Sequence, residues 1–66
     1  MGSIPETDIW RAANLLLREH GADAEIVAAH RADEMLDRGD TEGQRVWSRI
    51  SRAIAELQKP SSGLAH

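Results

Sequence analysis

A chain of 66 residues without a cysteine is at most one domain, and neither disulfides nor cysteine–zinc sites are available to hold it together. With 41% hydrophobic and 29% charged residues it is globular in class rather than disordered, and no apolar run approaches the roughly 18 residues of a membrane span. Its net charge of −3 runs against nucleic-acid binding, whose non-specific affinity comes mainly from neutralised phosphates.

Chains of this size bury only about 60% of the surface that their unfolded form exposes. Below roughly 70–80 residues some further support is usual. Here that leaves tight helix packing, oligomerisation, or a histidine/carboxylate metal site. No charged-then-apolar signal segment opens the sequence, and a cytoplasmic location is expected.

The first predicted helix covers about residues 4–20. Ser3-Ile4-Pro5-Glu6 fits a capping box with Ser3 as N-cap, and proline is tolerated in a first turn because its missing N–H has no helical partner there. Gly21 is the natural stop. At about 100° per residue, Ile9, Trp10, Ala13, Leu16, Leu17 and His20 share one face. Leu15 falls among the polar residues opposite.

The second helix is expected over about 23–38, with Asp23 and Glu25 at the positive end of the dipole and Arg38 at the negative end. Gly39 ends it. Its apolar arc is wide and alanine-rich: Ala22, Ala24, Ile26, Ala28, Ala29, Ala32, Met35 and Leu36. A wide arc predicts more than one neighbour, and small side chains let neighbours approach closely. Val27 lies off this arc.

The third helix is expected over about 41–59, with Asp40 as N-cap. Gly43 in its first turn costs about 1 kcal/mol relative to alanine, which predicts close backbone approach, with the second helix as neighbour. Val46, Trp47, Ile50, Ala53, Ile54 and Leu57 give the cleanest helical period in the chain. Pro60 ends the helix, and residues 60–66 read as a flexible tail. The two connections are very short, which predicts consecutive helices lying side by side. The fold class expected is therefore all-α: one domain, a compact three-helix bundle with short glycine-containing turns.

Candidate chemistry is sparse. His30, Asp33, Glu34 and Asp37 recur at helical spacing, and imidazole with carboxylate suits several transition metals. One helix presents few ligands to one ion, however, and the paired histidines of an H-E-x-x-H motif are missing. The plainer reading is a solvated face with pairs such as Glu34–Arg38. His20, on the apolar face and in the last turn, reads as a partly buried ring capping carbonyls. Partnered with Asp33 or Asp37 it would form a pH switch. Asp33, at the edge of the apolar arc, should be paired, because burying an unpaired charge is costly. No glycine-rich phosphate loop or G-x-S-x-G elbow is present, no catalytic residue is nominated, and no cofactor or metal is expected. Trp10 and Trp47 read as core anchors.

Arg45, Arg49 and Arg52 form a stripe beside the apolar face of the third helix. After a short turn, such a stripe invites a helix-turn-helix reading, with this helix in the major groove. Glu42 and Glu56 interrupt it, and the acidic second helix offers a counterpart within the chain or on a partner.

Several fixed offsets stand out: Ile9-Trp10 with Ala13 and Leu16; His20-Gly21-x-Asp23-Ala24; Arg31-Ala32-Asp33 with Leu36; Gly39-Asp40-x-x-Gly43; and Val46-Trp47-x-Arg49-Ile50. In these, from about Ile9 to Leu57, the chain resembles a group of short, uncharacterised helical proteins of alphaproteobacteria. The resemblance implies a small bacterial helical domain and supplies no activity, cofactor or catalytic residue.

The function expected from the residues is a non-enzymatic protein–protein interaction module, a homodimer, since two-fold pairing is the commonest way to cover spare apolar surface. Leu15, Val27, Ala28 and Met35 are the candidate interface residues. The partner is a second copy or another protein, with no membrane involved. The alternative is a DNA-binding or transcription-associated protein using Arg45, Arg49 and Arg52. A metal-dependent module built on His20, His30, Asp33 and Asp37 comes third.

Overall fold

A computed structural model describes residues 5–59 of the chain, and these are all-α. Helix α1 spans Glu6–His20, a single 3-10 turn covers Gly21–Asp23, α2 spans Ala24–Asp37 and α3 spans Thr41–Gln58. Because the 3-10 turn bridges α1 and α2, Glu6 to Asp37 is also one bent helical run.

Local chemistry sets each boundary. α1 starts at Glu6, slightly later than expected, with Pro5 extended at φ −60° and ψ 149° as its N-cap. Its carbonyl accepts from the backbone N–H of Asp8 at 3.0 Å and of Ile9 at 3.3 Å. The expected Ser3 cap lies outside the described residues. Gly21, at φ 57°, ends α1 while its N–H bonds the Leu17 carbonyl. α2 ends in a Schellman motif: the Gly39 N–H reaches the Leu36 carbonyl at 2.9 Å, and the Asp40 N–H reaches that of Met35 at 2.8 Å. That closure requires the left-handed φ of 77° at Gly39, which glycine adopts without a Cβ clash. Asp40 then caps α3, its Oδ1 accepting from the Gly43 N–H at 2.8 Å.

α2 and α3 make the most extensive contact in the fold, α1 and α3 come next, and α1 and α2 touch least. The side-by-side expectation thus holds for α2 and α3, whereas α1 is held mainly by α3. Two contacts fix the register of the α2–α3 pair. A Cβ on Gly43 would stand 2.9 Å from the Met35 sulfur, and the Arg31 guanidinium lies 6.0 Å from the Trp47 ring centroid. Moving up one strand of this ladder while moving down the other brings Ala28 level with Ile50 and Ala24 level with Ile54. All four of these residues belong to one buried cluster, with Ile9, Ala13 and Ala53. The pair is an antiparallel αα-hairpin.

The core is small and alanine-rich. Among the described residues Ile54 is the one fully buried large side chain, joined by Ile9 and Ile50. Trp10 and Trp47 are half-buried against it. Leu57 departs from the expected core face of α3, being 43% exposed. It lies nearly one turn beyond Ile54, which is level with Ala24, the first residue of α2.

Candidate interaction surface

α2 carries apolar residues on a buried stripe and on an exposed one beside it. Ala24, Ala28 and Ala32 repeat every four residues and are buried against α3 and α1. Ile26, Ala29, Asp33 and Leu36 lie on average about a third of a helical turn away, at roughly 100° per residue, with Leu36 one turn beyond Ala32, and all four are exposed. Ile26 and Leu36 are each 57% exposed. The buried stripe of this helix is therefore all alanine, while Ile26 and Leu36 lie at the surface. On α1, Leu15 is 52% exposed, on the polar side where the sequence had placed it.

The predicted interface residues separate on this geometry. Leu15 is available to a partner. Val27 is half-buried, and so is Met35, whose sulfur sits beside Gly43. Ala28 is not an interface residue: it is 0% exposed and lies inside the core, because its position in the hairpin is level with Ile50. Ile26 and Leu36 had been assigned to the inner arc and are instead surface residues.

The acidic and histidine positions are dispersed. His20 is exposed rather than partly buried, since it follows Leu16 and Leu17, the last α1 residues to pack on the core. It is the last residue of α1. Asp33 is exposed, on the side of α2 opposite Ala24, so the expected buried ion pair and the His20–Asp33 or His20–Asp37 switch are not formed. Glu34 pairs with Arg31 at 3.7 Å, one turn N-terminal, in place of the expected Arg38. Among the described residues no group of three or more histidine, aspartate or glutamate side chains could hold a metal ion. His20, His30, Asp33 and Asp37 therefore do not converge. No polar or charged side chain among the described residues is buried.

Arg45, Arg49 and Arg52 do lie together. With Gln44 and Ser48 they line a depression of about 400 Å³. Its walls come from α3 alone, which makes it a strip of helix surface rather than an enclosed pocket. Arg49 and Arg52 also border a second depression, of about 220 Å³, where Glu6 and Glu56 face them beside Trp10. The strip is thus basic along its length and acidic at one edge.

The chain matches no family model, no curated protein and no solved structure. No helix among the described residues is long and apolar enough to cross a membrane.

Proposed function

We propose that the chain is a non-enzymatic protein–protein interaction module that pairs with a second copy of itself in the cytoplasm. One observation carries this reading. Ile9, Ile50 and Ile54 are the large aliphatic side chains that the fold buries, while Leu15, Ile26, Leu36 and Leu57 remain exposed. A single exposed leucine needs no explanation. Four large aliphatic side chains, three leucines and an isoleucine, each about half exposed on a chain whose inner α2 face is alanine, are different: they leave apolar surface that a second copy can cover. A core of this size contributes little by itself, and covering the remaining apolar surface with a second copy adds to it. The resemblance to short alphaproteobacterial helical proteins supports a bacterial origin for such a module.

The experiment is thermal unfolding at several protein concentrations. Folding linked to pairing raises the melting temperature as concentration rises, by mass action. A melting temperature independent of concentration, with a sharp transition, would contradict the reading.

The arginine strip of α3 supports a second reading, binding to a nucleic-acid backbone through Arg45, Arg49 and Arg52. Against it stand the acidic edge at Glu6 and Glu56 and the antiparallel packing of α2 and α3, since helix-turn-helix pairs cross at about 90–120°. Duplex DNA binding that weakens steeply with salt and is lost in Arg45→Ala/Arg52→Ala would favour it. No binding at low salt would remove it.

A further inference from the structure

We propose that the depression between α1 and α3, together with the arginine strip beside it, binds a short acidic segment of another protein that carries one apolar anchor side chain. The exposed residues Leu15, Ile26, Leu36 and Leu57 border neither depression, so this site is separate from the surface argued above for self-pairing.

The anchor position lies where α1 meets α3. Ile9, Trp10 and Ala53 are its apolar part, and Glu6, Arg49, Arg52 and Glu56 surround them. Ile9 and Ala53 are buried, and Trp10 is half-buried against the same cluster, so packing fixes this apolar part before any ligand arrives. Its volume of about 220 Å³ takes one side chain and falls short of the roughly 300 Å³ at which small-molecule sites begin. Tryptophan and arginine are the residue types that most often carry binding energy at protein interfaces, and here they border one depression.

The charge around it selects the occupant. Arg49 and Arg52 border both depressions, and Arg45, Gln44 and Ser48 continue the surface along α3. From Arg45 to Arg52 the strip runs about 10 Å along the helix axis. All three arginines are exposed, and among the described residues Arg45 and Arg52 make no ion pair. Glu42, expected to interrupt the strip, borders neither depression. Glu56 pairs with Lys59 at 3.4 Å, which weakens the acidic edge. Carboxylates suit guanidinium groups, which can hold them through two parallel hydrogen bonds. A segment whose acids lie to one side of its anchor meets arginine along the strip and keeps its charge away from Glu6 and Glu56. A nucleic-acid backbone has a phosphate at every nucleotide and cannot be charged on one side only.

Two fluorescein-labelled peptides test this by fluorescence anisotropy with the unaltered protein: a run of glutamates followed by leucine, and the reverse order. At least one should bind, and salt should weaken the binding. Replacing the leucine by serine should weaken it about ten-fold, the loss of one buried apolar side chain. Arg45→Ala/Arg52→Ala, altered at exposed positions, should weaken it about five-fold and leave the melting temperature unchanged. The leucine-to-serine comparison needs no variant protein and stands even if that variant folds poorly. Binding of neither peptide would overturn the proposal. Equal binding of the leucine and serine peptides would overturn the anchor site, and unchanged binding by the double variant would overturn the strip. Duplex DNA that binds more tightly than either peptide in the same buffer would overturn the choice of occupant. So would a lower molar mass for the double variant than for the unaltered protein, because a second copy would then cover the strip.

Discussion

Replacing Gly43 by alanine sets two effects against each other, and the structure decides between them. Alanine is the better helix former by about 1 kcal/mol in a helix interior, so on propensity alone Gly43→Ala stabilises α3. The added Cβ, however, would stand 2.8 Å from the Asp40 Oδ2 and 2.9 Å from the Met35 sulfur. The Asp40 carboxylate is not free to yield, since its other oxygen holds the Gly43 N–H at 2.8 Å. Loosening that cap forfeits up to about 1 kcal/mol. Met35 must swing out of the α2–α3 contact, and overpacking of this kind costs about 1–3 kcal/mol. The losses exceed the gain, and Gly43→Ala should destabilise by about 1–2 kcal/mol. For a domain of this size that lowers the melting temperature by roughly 4–8 °C per kcal/mol. Circular dichroism melts at fixed concentration measure it. Met35→Ala should relieve part of the clash, so the double variant should lose less than the two single variants together. An unchanged or higher melting temperature for Gly43→Ala would refute the close approach of α2 and α3 at this point.

Three further outcomes follow from the same packing. Ile54→Ala removes the one fully buried large side chain and should cost about 2–5 kcal/mol, a large part of the roughly 3–10 kcal/mol expected for 66 residues. Urea titration should show the midpoint falling steeply or the transition disappearing. Gly39→Ala meets no atom within 4 Å, yet its φ of 77° imposes about 1–2 kcal/mol of backbone strain on a residue with a Cβ; a melt should show that loss, with a smaller one for Gly39→Asn. Arg31→Ala loses the contact with the Trp47 ring and an exposed pair with Glu34, so chemical denaturation should register no more than about 1 kcal/mol.

The helices themselves were legible in the sequence because their limits rest on local chemistry. Gly21 and Gly39 end their helices with positive φ values, and Asp40 makes the cap its side chain predicts. Even the neighbour of Gly43 could be named, since a glycine in a first turn implies something close by. What periodicity could not resolve was which side of α2 faces inward. Its apolar residues span two faces, and hydrophobicity alone favours placing Ile26 and Leu36 inside and alanines at the rim. The structure has the reverse order, because close packing of α2 on α3 admits only alanine at Ala24, Ala28 and Ala32. The signal that finds this is the turn: a hairpin centred near Gly39 sets Ala28 against Ile50 and Met35 against Gly43, and so fixes the inner face. His20 and Leu57 were misplaced for a related reason. Each continues a periodic stripe beyond the point where the opposite element offers a side chain.

The most direct test of self-pairing is the molar mass in solution, by light scattering over a concentration series. The mass should rise from 7.3 kDa towards twice that value as concentration passes through the micromolar range. A constant 7.3 kDa well above that range, in a protein that still unfolds cooperatively, would contradict the account.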